Sequence, residues 1–408
     1  MFNRSTSGLV FVFFVFLLLR VIVLDSSARE PIKSLPPTQA KIVRARDLGI
    51  PFEGTPGKLN AITDVPGVEI GYTTLISGEG KLEVGKGPVR TGVTAILPRG
   101  RAALNDPVYA GFFSLNGNGE MTGTAWVEES GFLEGPIVIT NTHSVGVARD
   151  AVIAWQVKQG TDSQSLWSFP LVAETWDGWL NDINGFHVKP EHVWHALDAA
   201  HGGAIEEGSV GGGTGMICYE FKGGDGTASR LISVAVAGGG DPGSHRASRA
   251  YTVGVFLQAN FGRRPQLMIA GAPVGQKIPG QVYKQENGSC IAVIATDAPL
   301  LPNQLKRLAR RVSLGLARTG TISGNSSGDL FIAFSTANPN VASADQITHD
   351  VQTIPNDLMD PLFAAVVQAT EEAVVNALVD NHSMTGRDNH RVEALPHDRL
   401  REILRRFR

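Results

Sequence analysis

Asn287-Gly288-Ser289-Cys290-Ile291-Ala292-Val293-Ile294-Ala295-Thr296 sets a turn dipeptide and a hydroxyl residue directly before an unbroken apolar run. Asn-Gly favours a tight turn with positive φ, and a short apolar run after such a turn reads as a buried strand, here residues 289–296. A hydroxyl at the first position of that strand is where a backbone-cleaving N→O acyl shift can act. Cleavage would make Ser289 a new N-terminus, whose α-amine, with a reference pKa of about 7.7–8.0, can serve as general base for its own hydroxyl. Residue types alone leave two other readings open. Asn-Gly-Ser is a common hairpin turn and, like Asn325-Ser326-Ser327 and Asn381-His382-Ser383, a formal glycosylation sequon.

Downstream of this point, Leu305, Leu308, Ala309, Val312 and Leu316 recur at helical spacing, and Gly320 closes that helix. Residues 330–336 read as a strand and 361–379 as a helix. The tail puts Leu400, Ile403, Leu404 and Phe407 on one face, with six arginines from Arg391 onward. It is expected to pack on its own protein or a neighbouring subunit rather than on anionic lipid. Upstream, over residues 62–293, β-branched runs (92–97, 137–140, 231–236) alternate with Gly-rich turns, as buried strands do. Residues 150–156 begin a helix, 191–200 form another opened by Pro190, and 29–60 read as an extended lead-in. Strands followed by helices predict a layered α/β domain rather than a Rossmann wrap.

Composition agrees with a folded chain. Of 408 residues 42% are hydrophobic and 18% charged, with 47 Gly and 2 Cys, which argues against disorder and against a disulfide framework or a four-cysteine zinc site. The net charge of −3 gives no reason to expect a nucleic-acid partner. Residues 1–28 differ from the rest: Arg4, the apolar run 9–19, an interrupting Arg20, and Ser26-Ser27-Ala28 have the anatomy of a signal peptide cleaved after Ala28. An uncleaved anchor is the alternative, and either way the remainder is expected to be exported. After that segment no run of eighteen apolar residues recurs. Cys218 and Cys290 are the only pair that an oxidising compartment could join.

Other motifs carry less. The glycines of 208–215 lack the Gly-Lys-Ser/Thr ending of a P-loop and precede a strand, so they read as pocket-lining turns, as do 116–119 and 238–240. His187, His192 and His195 match no ordinary zinc spacing and suggest surface or capping roles. No Gly-x-Ser-x-Gly elbow occurs. Taken singly, Ser327 and Asp329 read as turn residues, Glu174 as a surface acid and Asn260 as a loop amide.

Their order along the chain changes that reading. From about Arg44 to Pro396 the chain resembles the self-processing serine aminopeptidases, the L-aminopeptidase/D-Ala-esterase-amidase and β-peptidyl aminopeptidase family. The matching stretches are Arg46-Asp47-Leu48-Gly49-Ile50, 116–126 (NGNGEMTGTAW), 174–185 (ETWDGWLNDING), 211–216 (GGGTGM), 288–300 (GSCIAVIATDAPL), 323–329 and 384–388. The resemblance implies a four-layer αββα sandwich, similar to N-terminal-nucleophile hydrolases but with different connectivity. It also implies a single catalytic domain, 29–408, cut between Gly288 and Ser289 into 29–288 and 289–408, which stay associated. By the same resemblance Ser289 is the nucleophile, Ser327 and Asp329 hold its α-amine, Asn260 supports the oxyanion and Glu174 receives the substrate's amino group. Trp176 stands where some relatives have a tyrosine near the oxyanion, and 241–250 is longer and more polar than expected.

The implied reaction is hydrolysis of an N-terminal residue from a short peptide, amide or ester through an acyl-enzyme, with no cofactor or metal. An acyltransferase of similar architecture, whose relatives use threonine, and a non-catalytic exported binding protein are the alternatives. Besides substrate, the expected partners are the two cleavage products for each other and further copies in a homo-oligomer. A membrane enters only if the N-terminal segment stays uncleaved.

Overall fold

The computed structural model describes residues 43–160, 166–237, 245–280, 282 and 288–407. In chain order they form β1 (Glu69–Ser77), β2 (Val89–Leu97), β3 (Val108–Gly117), helix α1 (Thr124–Ser130), β4 (Phe132–Leu133), β5 (Ile137–Asn141), α2 (Val145–Lys158), β6 (Leu171–Thr175) and α3 (Pro190–Asp198). A short hairpin of β7 (Ile217–Cys218) and β8 (Phe221–Lys222) precedes the long pair β9 (Gly224–Ala237) and β10 (His245–Asn260), then α4 (Val274–Lys277). The last third supplies β11 (Gly288–Thr296), α5 (Pro302–Arg318), β12 (Ser327–Ser335), α6 (Asp360–Val379) and α7 (His397–Phe407).

Two sheets result, one ordered β1-β2-β5-β6 and the other β4-β3-β12-β11-β10-β9. Three apolar layers follow from strand alternation. Ile96, Ile137, Ile139 and Ala173 meet Ile291, Val293, Ile332 and Phe334 between the sheets. Val93, Val138 and Val172 face α2 and α3 on one outside. Ala292, Ile294, Phe331 and Ala333 face α5 and α6 on the other. The architecture is therefore αββα, as expected.

β11 and β12 lie mid-sheet, buried at every position. That explains their unbroken apolar composition, because a strand covered on both faces has no solvent side to make polar. α5 buries Leu305, Leu308, Ala309, Val312 and Leu316 on one stripe and ends ahead of Gly320, whose φ is +100°. α6 is long and apolar enough to cross a membrane by composition, but 78% of that stretch is buried inside the protein.

Several boundaries differ from the expectation. α2 begins at Val145, five residues earlier, because Asn141 and the turn after it feed directly into a helix. The described part of the lead-in is not merely extended. Residues 45–48 form a short 3-10 turn, and Arg46 grips the buried Glu372 of α6 through Nε and Nη2 at 2.6 and 2.8 Å. Arg230 of β9 (2.7 Å) and Asn60 (2.6 Å) complete that clamp. In α7, Leu400, Ile403 and Leu404 join the core on the α5–α6 side, whereas Phe407 is about half exposed, so the apolar stripe stops short of it. Arg399 and Arg406 share Glu402, and Arg401 pairs with Asp398, so two acids offset part of the basic face within the helix. The signal-peptide reading, Asn287, Gly238–Gly240 and residues 241–244 lie outside the described residues.

Candidate active site

Strand pairing builds the site. β11 runs antiparallel to β10 with Ser289 opposite Asn260, and parallel to β12 with Ser289 opposite Gly328. Side chains alternate faces along a strand. Ser289 thus shares the inter-sheet face with Ile291 and Val293, while Ser327 and Asp329 flank Gly328 on the opposite, helix-facing side with Phe331. Burial lifts the thiol of Cys290 well above its usual range, and Asp329 and Cys218 add to it, so these groups share that side. Both cysteines are buried and are not joined in a disulfide.

Ser289 is 3% exposed and opens into a pocket of about 310 Å³ that it lines with Gly288, Asn118, Thr142, Glu174, Trp176 and Ser326. Gly288 must lack a side chain, since a Cβ there would lie 2.1 Å from the Asn260 carbonyl oxygen. The Ser327 hydroxyl donates to Asp329 Oδ1 at 2.8 Å, both groups fully buried. Neither is a turn residue: they belong to β12.

Asn260 is not a loop amide but the last residue of β10, 1% exposed. Its Oδ1 accepts the Ile217 N–H at 2.8 Å, and its Nδ2 donates to the Trp176 carbonyl at 2.9 Å. These two bonds fix the orientation of the amide. Trp176 is half-buried beside Gly178, where a Cβ would come within 2.6 Å of the indole Nε1.

Glu174 is not a surface acid either. It is 2% exposed at the end of β6, its Oε1 accepting the Glu120 N–H at 3.1 Å and its Oε2 accepting the Thr142 hydroxyl. Burial pushes its carboxyl above the usual range, and the bonds from Thr142 and Glu120 oppose that rise. A buried carboxylate that faces a pocket and, among the described residues, accepts from two donors retains acceptor capacity for a cationic group.

Other candidates sit elsewhere. The turn at 211–215 is buried and does not line this pocket. Its glycines are needed for close packing: a Cβ on Gly212 would be 2.2 Å from Gln258 Oε1, and one on Gly215 2.3 Å from the Arg90 carbonyl oxygen. Of the stretch 116–119, Asn118 does reach the pocket. His187 contacts Asp182 (2.9 Å), His192 accepts the Lys189 N–H (3.0 Å) and His195 contacts Thr73 (3.0 Å), so the three serve separate partners. Asn118 belongs to the stretch read from the sequence as a pocket-lining turn and Ser326 to a formal sequon, whereas Thr142 was not singled out. A signal for Thr142 was present: Asn-Thr-His-Ser after an apolar run marks a strand ending in a helix cap, and strand ends of layered α/β sheets are where sites form.

Comparison with known proteins agrees with this geometry. The family model for peptidase family S58 matches residues 60–392. The chain is 52% identical over 381 residues to a beta-peptidyl aminopeptidase of Sphingosinicella microcystinivorans, covering 90% of this chain and 92% of that one. It superposes with TM-score 0.81 and 48% identity on the L-aminopeptidase D-Ala-esterase/amidase of Ochrobactrum anthropi, covering 89% and 98%. That structure is described as a prototype of the serine aminopeptidases with a variant of the Ntn hydrolase fold. A beta-aminopeptidase of Burkholderia sp. matches with TM-score 0.79 and 47% identity, covering 89% and 99%. With its αββα layers and a buried serine at the head of β11, the chain belongs to peptidase family S58 and is a serine aminopeptidase.

Proposed function

We propose that the chain is an exported, self-processing aminopeptidase that removes N-terminal β-amino acid residues from short peptides, amides or esters. The observation that carries this reading is a single pocket that holds both Ser289 and the buried carboxylate of Glu174. In maturation, Ser289 Oγ attacks the Gly288 carbonyl carbon, the Gly288–Ser289 C–N bond breaks, and Ser289 N takes a proton to become an amine. Water then hydrolyses the resulting ester. Because β10–β11 and β3–β12 pairing joins the two sides of the cut, fragments 29–288 and 289–408 would remain one domain.

In turnover the α-amine of Ser289, oriented by Ser327 and Asp329, takes the Oγ proton as Oγ attacks the scissile carbonyl. It passes that proton to the leaving amine or alcohol, and water then releases the acyl group. The Asn260 amide supports the oxyanion from the side where Trp176 holds it. Glu174 receives the substrate's ammonium, which restricts the enzyme to unblocked termini. The β-residue preference follows the activity named for the Sphingosinicella and Burkholderia relatives. Association into a homo-oligomer, measurable by size-exclusion chromatography with light scattering, belongs to the same reading.

Mass analysis of purified protein tests maturation: fragments 29–288 and 289–408, lost in Ser289→Ala, are expected, and an intact active chain would refute it. A panel of L-, D- and β-aminoacyl p-nitroanilides tests the substrate. The β-aminoacyl compounds should be cleaved fastest, and a preference for L-α or D compounds would overturn that part.

A further inference from the structure

The turn after β5 contains a group that the reaction above does not use. β5 and β6 pair in parallel, with Thr140 opposite Glu174 and Asn141 opposite Thr175. The buried Asn141 ends β5 by accepting the His143 N–H on Oδ1 at 3.1 Å, while its Nδ2 donates to Thr91 Oγ1 at 2.8 Å. Asn141 is thus tied to β2 on one side and caps the turn on the other. Thr142 follows in that anchored turn, its hydroxyl donating to Glu174 Oε2 while the Glu120 N–H holds Oε1.

We propose that Thr142 is a positioning residue for Glu174, fixing the carboxylate so that its remaining lone pairs meet the ammonium of the substrate. This rests on the reading of Glu174 as the amine receptor. Each carboxylate oxygen accepts about two hydrogen bonds, so a single donor on each leaves both oxygens able to accept from an ammonium. Without the hydroxyl, Oε2 loses its only bond from the protein among the described residues, and the carboxylate can rotate away from the site where the amine docks. The hydroxyl also favours the ionised form, which an ammonium requires. The other charged or titratable groups around this carboxylate are Glu120 in the loop after β3, His143 in the turn after β5 and Asp177 beyond β6, whose carboxyl burial pushes up to about 7. Glu120 opposes ionisation of Glu174 and His143 favours it.

The test compares wild type, Thr142→Val, Thr142→Ser and Glu174→Gln on two substrates, a 3-aminoacyl p-nitroanilide and p-nitrophenyl butanoate, which lacks the amine. A hydrogen bond to a charged group corresponds to about 10–100-fold in binding. Thr142→Val should therefore raise KM for the amine substrate by about that factor, mainly through KM rather than kcat. It should also shift the acid limb of kcat/KM to higher pH, and the preference over the butanoate ester should shrink by the same factor. Thr142→Ser should restore all three. If Glu174→Gln raises KM for the amine substrate but Thr142→Val does not, or if Thr142→Val slows both substrates alike, the positioning role is refuted. If Glu174→Gln leaves that KM unchanged, the amine-receptor reading fails instead and takes this inference with it. Thr142→Ala repeats the deletion should the valine variant not fold, and is read by the same criteria.

Discussion

Replacing Asn260 by alanine should separate chemistry from scaffolding. The amide holds two backbone groups, the Ile217 N–H at 2.8 Å and the Trp176 carbonyl at 2.9 Å, at a residue 1% exposed. Removing it leaves both without that partner in a buried place. Each unsatisfied group costs about 1–3 kcal/mol, so the expected loss of stability is roughly 2–6 kcal/mol, a large share of the usual 5–15. Losing one oxyanion donor costs about 2.7–4 kcal/mol of transition-state stabilisation, or about 10²–10³ in kcat. Asn260→Asp separates the two effects, because it keeps an acceptor for the Ile217 N–H and removes the donor. Both variants are assayed by urea unfolding, by the extent of self-cleavage, and by kcat and KM on a β-aminoacyl p-nitroanilide. The expected outcome is a kcat loss common to both variants with little change in KM, and a larger stability loss in the alanine variant. A folded, self-cleaved Asn260→Ala enzyme with kcat within about threefold of wild type would show that the amide is scaffolding only.

Gly288→Ala should abolish self-cleavage, since its Cβ would fall 2.1 Å from the Asn260 carbonyl oxygen and push Ser289 out of register, and gel electrophoresis of the purified chain reads this directly. Truncating Glu372 to alanine leaves two arginines facing an empty buried site and should cost about 3–5 kcal/mol, read as a lower urea midpoint. Burial alone would raise the Glu372 carboxyl, but Arg46, Arg230 and Asn60 outweigh it and hold the carboxyl below its ordinary range. Its contribution is therefore fully present above the ordinary carboxylate pKa and lost as pH falls through the lowered folded value, so the gap between wild type and Glu372→Ala should narrow on acidification. A gap independent of pH would refute that assignment.

How much of this was legible depended on whether the information was local. β11, α5, β12 and α6 carry unbroken or strictly periodic apolar patterns, so their existence and type could be read from residues a few positions apart. Ser289 sat beside its own turn signal, and Ser327 and Asp329 beside each other. Burial of Glu174 and Asn260 was not legible from residue type, because it depends on β6 of one sheet packing against β3 and β10 of the other. Thr142 and Glu174 are 32 residues apart, and parallel β5–β6 pairing alone brings them together. The start of α2 is hard to read because Val145-Gly146-Val147 places β-branched residues and a glycine of low helix propensity in its first turn. The glycines at 211–215 misled for a physical reason: absence of a side chain serves backbone packing as well as ligand approach, and only the neighbours tell which.

The placement of Ser289 on its strand bears on how one residue could be both a cleavage site and a catalyst. A break in mid-strand would leave ladder groups unpaired on both sides, whereas β11 begins at Gly288, and a cut before Ser289 removes one residue from a nine-residue ladder. The strands on either side, β10 and β12, hold the rest in place. The freed amine would then lie in the plane of the sheet, its own hydroxyl on the pocket face and the Ser327–Asp329 pair on the other. On the proposed mechanism the carboxylate of Asp329, which would orient the base, is kept off the face where Glu174 would receive the substrate, so the two acids need not compete for one ammonium. A charge-reversing change at Asp329 should accordingly act on kcat through the amine, while changes at Glu174 and Thr142 act on KM. On the proposed mechanism this division of labour would follow from strand alternation in β11 and β12 and from the placement of Glu174 on the facing sheet.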